Sequence, residues 1–195
     1  MVSDPSMNPG QNEFDASDAP IVTLTDDGRS LQCYVEQSVD IDSTEYVLLL
    51  PVNISVDIFA WESSEEDEEE EVLVDVESKE IDKIFDTARA VLAEQDLTLH
   101  RSALTLTMSG ELPEPDEEEL ITLDLEEEGD EMSSEQLQFI ASFFHEEQEY
   151  AVYTPLDPLL FFARILPDGT PKLLTPEEFQ AVRPQLENVL FEDVN

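Results

Sequence analysis

Positive charge is scarce in this chain: 8 Lys and Arg stand against 49 Asp and Glu, a formal charge of −41. Direct binding to nucleic acid is therefore not expected, because neutralising phosphates needs clustered cations. Docking on an anionic membrane through a basic patch is not expected, on the same ground. Cysteine occurs once, at Cys33, so no internal disulfide can form and a reducing cytoplasm is the expected location. Long apolar runs are missing too. The best, Leu156 to Leu166, is interrupted by Asp157, Pro158 and Arg164, and no transmembrane helix is expected. Any association with a membrane complex would run through a protein partner. The first twenty residues carry four acids and no Lys or Arg, the reverse of a signal or transit peptide.

What the chain does have is apolar material and concentrated acid. Leu, Ile, Val and Phe make up 30% of it, above the roughly 20% below which chains stay disordered, so a packed core is expected. Residues 62–131 hold 27 acids and four bases. Two dense runs, 62–71 and 111–131, account for most of this. Like charges at that density repel across the ~8 Å Debye length, and both runs read as solvated loops or insertions. Residues 1–19, with Pro5, Pro9 and Gly10, read as a disordered acidic tail.

An internal repeat organises the rest. Val22-Thr23-Leu24-Thr25-Asp26-Asp27-Gly28 matches Leu104-Thr105-Leu106-Thr107-Met108-Ser109-Gly110, and the run Glu45 to Asn53 matches Glu149 to Asp157 at an offset of 104. Ile81, Ile84, Ala88, Val91 and Leu92 match Phe179, Val182, Leu186, Val189 and Leu190 at an offset of 98. Within each copy, alternation around Leu31–Val39 and the apolar run Tyr46–Leu50 predict strands. So do Val56–Trp61, Val72–Val76, Phe161–Leu166 and Lys172–Leu174, while Ile121-Thr122-Leu123 is a weaker strand signal inside the second acidic run. The 81–92 spacing describes one helical face, with Ser78 as its cap; Thr175-Pro176-Glu177-Glu178 opens a second helix, which Pro184 should kink or divide. The expected fold is α+β: two tandem related modules, 20–96 with the acidic loop 62–71 and 103–193 with the insertion 111–131, each a small antiparallel sheet followed by one helix.

The runs Val22–Gly28 and Glu45–Pro51, with the helix Pro176–Val182, resemble the YrzB-like small acidic proteins of unknown function. The two-copy arrangement is similar to longer relatives of cyanobacterial and chloroplast type. That resemblance implies no catalytic residues, and points to a role near photosynthetic complex biogenesis.

No residue pattern carries chemistry. His100 and His145 are far apart and distant from Cys33, so a zinc site would lack its nitrogen and sulfur ligands. No calcium loop, phosphate loop, dinucleotide fingerprint or nucleophile elbow occurs. Neither cofactor nor metal is expected, and an enzyme is the least favoured class. The better lead is aromatic: Trp61 precedes the first acidic run, and Phe143-Phe144 and Phe161-Phe162 put rings on both faces of their strands. The expectation is a non-catalytic acidic adaptor or assembly factor for a basic protein surface. Its contact residues would be Trp61, Glu65, Glu66, Asp67, Glu68, Glu69, Glu70, Glu71, Phe144 and Phe162. The competing class is a nucleic-acid mimic that inhibits or regulates a nucleic-acid-binding protein.

Overall fold

The computed structural model describes residues 18–66, 69–126 and 132–191. Its elements, in chain order, are β1 (Ile21–Asp26), β2 (Arg29–Ile41), β3 (Thr44–Pro51), β4 (Ile54–Ser63), β5 (Glu71–Asp75) and α1 (Ser78–Ala93). There follow β6 (Thr98–Arg101), β7 (Leu106–Ser109), β8 (Leu120–Glu126), β9 (Met132–His145), β10 (Gln148–Pro155), β11 (Phe161–Ile165), β12 (Pro171–Leu173) and α2 (Pro176–Phe191).

The strands form two antiparallel sheets. Sheet I has the order β1-β2-β3-β11-β12; sheet II runs β6-β7-β4-β10-β9-β8, with β5 also paired to β4. The expected fold of two tandem sheet-plus-helix modules is therefore wrong. The protein is mostly β, and each sheet takes strands from both halves of the chain. β1–β3 of the first copy are completed by β11–β12 of the second, and β8–β10 of the second by β4–β5 of the first. The helices follow the exchange: α1 packs on β9 and α2 on β2.

A 104-residue offset relates the two sheets strand by strand. Tyr46↔Arg164, Val47↔Ala163 and Leu48↔Phe162 in sheet I reappear as Tyr150↔Ala60, Ala151↔Phe59 and Val152↔Ile58 in sheet II. Even the irregularity recurs, between Val35 and Gln37 in one sheet and opposite Val152/Tyr153 in the other. The counterpart of β1 is β8, since Val22↔Cys33 corresponds to Ile121↔Leu137. This corrects two sequence expectations. Leu104–Gly110 is not the second copy of Val22–Gly28: its strand, β7, forms a hairpin with β6 that has no equivalent in sheet I among the described residues. The run 111–131 is also not all loop, because β8 lies inside it.

Turn chemistry differs at the point of exchange. The tight hairpins turn on paired residues with positive φ: Asp27-Gly28 (48° and 75°), Asp42-Ser43 (49° and 64°) and Glu146-Glu147 (48° and 71°). Two-residue hairpins need such backbone, and β-branched residues resist it. The two-residue link from β3 to β4 is Val52-Asn53, neither of which has positive φ. At this link β4 does not fold back on β3, and the chain crosses to the other sheet.

The described residues form three apolar clusters. Sheet I curls until its edge strands β1 and β12 lie against each other, nearly a barrel, around Leu24, Leu31, Cys33, Val47, Leu49 and Ala163. Between sheet II and α1 lie Ile81, Ile84, Ala88 and Leu92 with Ile58, Phe143 and Val152. On the opposite face of sheet II, Phe59, Leu137, Ala151 and Tyr153 pack with Phe59–Tyr153 and Phe139–Tyr153 edge contacts of 5.9 and 5.6 Å.

Helix ends differ in part from the sequence reading. Thr175 and Glu178 form a reciprocal capping box, each backbone N–H donating to the other's side chain at 2.9 and 3.2 Å. Ser78, however, is the first residue of α1 rather than its cap. The cap position is Glu77, which makes no side-chain cap bond, and Ser78 Oγ accepts from Arg101 instead. Pro184 does not divide α2, which is continuous over 176–191.

Candidate functional site

At the end of sheet II beside the Glu-rich loop, three side chains stand in one row across the strands. Phe144 on β9 is opposite Glu149 on β10, and Glu149 neighbours Trp61 on β4, whose carbonyl accepts from Gln148 Nε2 at 2.6 Å. Phe144 is 65% exposed, the most exposed large apolar residue among those described. The 104-residue relation supplies an internal control: the same row in sheet I is Asp40, Glu45 and Ile165. Since the fold accepts aspartate at that position, the phenyl ring of Phe144 is not demanded by packing.

The expected contact residues differ in exposure. Trp61 is half-buried and packs against the Phe59–Tyr153 cluster. Phe162 is covered by α2, its ring 5.0 Å from that of Phe179. Phe143 and Phe161, the partners in the two double-Phe pairs, face the cores. Glu65, Glu66, Glu69, Glu70 and Glu71 are exposed, with Glu71 paired to Ser63 at the start of β5; Asp67 and Glu68 lie outside the described residues. Of the aromatic candidates, Phe144 alone combines exposure with acidic neighbours, among them Glu146, Glu147 and Glu149.

A second feature was missed in the sequence. Between sheet II and the β1–β2 turn is a cavity of about 570 Å³, lined on one side by Asp57, Asp75 and Glu135 and on another by Arg29 and Arg101. In the sheet I barrel, the positions related to these acids hold Phe161, Leu173 and Leu31, all packed in or against the core. A signal existed: Asp57 breaks the apolar run from Val56 to Trp61. Its carboxyl is pushed above the ordinary range by burial first, then by repulsion from Glu135 and Asp75.

This has a testable sign. A raised pKa means that the ionised form is disfavoured in the folded state, so the penalty is present above the folded-state value. It is relieved as pH falls through that value and is gone below the ordinary 3.8. Asp57→Asn should therefore raise the melting temperature at pH 7, and the gap to wild type should narrow on acidification. Thermal melts from pH 7 to pH 4 measure both.

The remaining reactive side chains are held structurally. Burial raises the Cys33 thiol to about 11, so it is protonated at neutral pH and no nucleophile. His145 Nδ1 is 3.2 Å from Thr87 Oγ1, and His100 Nε2 is 2.8 Å from Ser109 Oγ. Among the described residues, no group of three or more His, Cys, Asp or Glu is arranged to hold a metal ion. No described helix is long and apolar enough to cross a membrane.

No curated protein and no solved structure matches the chain. Residues 26–93 match a family described as a protein of unknown function, DUF1292. Residues 96–193, half of the chain, match a second, described as a protein of unknown function, DUF3727. The two matches meet between α1 and β6, so each covers one copy of the repeat, and the chain belongs to the DUF3727 family.

Proposed function

We propose that this protein is a non-catalytic acidic adaptor or assembly factor that docks a basic protein surface on the Phe144 end of sheet II. The carrying observation is that Phe144 is 65% exposed and bordered by carboxylates where the related position in sheet I is Asp40. In this reading the acids steer a cationic partner at long range, and the ring supplies contact affinity once water is displaced. The YrzB-like resemblance and its two-copy relatives extend the reading to a cytoplasmic role in photosynthetic complex biogenesis, with the partner a basic subunit or assembly intermediate.

The test is capture from native lysate with wild type, Phe144→Ser and a Ser/Gly replacement of Glu65–Glu71, followed by direct binding measurements on the identified partner. Phe144→Ser is expected to weaken binding about thirtyfold, mainly by faster dissociation, as for an interface anchor. The loop replacement should slow association and flatten its salt dependence. A partner that binds both variants as it binds wild type would overturn the proposal, and displacement by added DNA would favour the nucleic-acid mimic.

A further inference from the structure

Sheet I ends where its edge strands β1 and β12 lie against each other. The strand related to β12 in sheet II is β5, since Ala163↔Leu173 corresponds to Phe59↔Asp75. Among the described residues β5 pairs with β4 alone, and its other edge is open. The Ser64 N–H donates to the Glu70 carbonyl at 2.7 Å, so 64 and 70 are a bonded pair. Antiparallel alternation then turns the N–H and C=O groups of Glu71, Leu73 and Asp75 away from β4. None of these groups has a backbone partner among the described residues.

Open edges invite pairing, and proteins commonly blunt them with Lys, Pro or a bulge. β5 has none of these; it reads Glu71-Val72-Leu73-Val74-Asp75, a β-favouring apolar centre between two acids. What protects it is charge of one sign. Asp75 shares a face with Leu73 and Phe59, and it lines the cavity of about 570 Å³ together with Asp57 and Glu135. No ion pair or hydrogen bond engages these three carboxylates among the described residues. The two cations of the cavity wall, Arg29 and Arg101, are held by Asp82 at 3.8 and 3.1 Å. A second copy of this chain would bring 49 acids to the same edge and be repelled, whereas a cationic strand meets attraction. Leu73 is also opposite Trp61, so β5 extends the row that ends at Phe144.

We propose that the β5 edge takes up an extended basic segment of a partner protein as an added strand, with Lys or Arg side chains directed at Asp75, Asp57 and Glu135. Main-chain bonds to Glu71, Leu73 and Asp75 give such a strand its affinity, and its alternate side chains give specificity. In sheet I the positions related to the acids are Leu173, Phe161 and Leu31, apolar and packed where β1 meets β12. The basic partner is that of the adaptor reading, on which this rests; the added strand is the form in which it binds.

The experiment titrates the full chain with an octapeptide of alternating Lys and Val at physiological ionic strength, followed by calorimetry and amide hydrogen exchange. A copy N-methylated at every residue keeps the charge but cannot donate main-chain bonds. Saturable binding that slows exchange at Glu71, Leu73 and Asp75 is expected, with the N-methylated copy about tenfold weaker or more. Asp57→Asn with Glu135→Gln should weaken the octapeptide by a similar factor. These substitutions remove repulsion, so the melting temperature should not fall and lost binding is not lost folding. Phe144→Ser should leave octapeptide binding unchanged, because β5, β4 and β10 separate that ring from the added strand. A partner indifferent to Phe144→Ser would thus sink the Phe144 surface without touching this edge. Equal binding of the two peptides, no slowing at β5, or full affinity in the double variant would overturn the proposal and leave only diffuse attraction to an acidic chain.

Discussion

Cutting the chain at a protease site built into the exposed segment 114–118 is expected to leave one particle, not two. The amino-terminal piece would carry β1–β7 and α1, and the carboxy-terminal piece β8–β12 and α2. Each sheet would then hold strands from both pieces, joined through the β3–β11 and β4–β10 ladders. Buried groups on both sides of these seams, Leu49 and Ala163 in one and Phe59 and Ala151 in the other, are at most 8% exposed. Separating the pieces would expose this apolar surface and two rows of backbone donors and acceptors together. The nicked protein should co-elute as a single species on size exclusion and dissociate only in denaturant. Two separable folded pieces would mean that the strands are not exchanged.

Ile84→Ala in α1 is expected to cost about 2–5 kcal/mol, the range for emptying a buried aliphatic site. Ile84 is 1% exposed, and Ala88 and Leu92, on the same face one and two turns on, are fully buried. The related substitution in α2, Val182→Ala, should cost about 1 kcal/mol or less, because Val182 is only half-buried and loses a smaller side chain. Urea unfolding of both variants gives the comparison. Equal losses would contradict the unequal packing of the two helices, since sequence matching alone treats these positions as equivalent.

Much of this architecture was legible in the residues. Alternation around Leu31–Val39, the apolar run of β3, the 81–92 helical spacing and the Thr175 capping box each carry a local cause, and each appears where that cause puts it. The repeat was legible as well, at the right offsets for β3 and for the helices. Its first block was misaligned because Leu104–Gly110 shares a Gly-ended turn with Val22–Gly28. The true match, Ile121-Thr122-Leu123, is buried in acidic sequence and lacks that turn. Strand exchange was not legible from periodicity, since an alternating pattern says which face is buried but not which strand is the neighbour. The evidence for it lay in the link: Val52 is a poor first residue for a two-residue hairpin. For the candidate site, sequence singled out Phe144, but it could not separate that ring from Trp61 and Phe162. Which of two adjacent aromatics is covered depends on a helix, or on a strand from the other half of the chain.

The crossing of the two halves also sets a timetable for synthesis. Leu49 in β3 pairs with Phe161, which leaves the ribosome 112 residues later. At about 5–20 residues per second, that edge waits roughly 6–20 s for its partner. Throughout this interval a nascent chain presents an open, apolar strand to every neighbouring chain on the same message. The stretch made during the wait, residues 62–131, is the most acidic in the protein. Like-charge repulsion between nascent chains therefore grows while the first sheet is still unclosed.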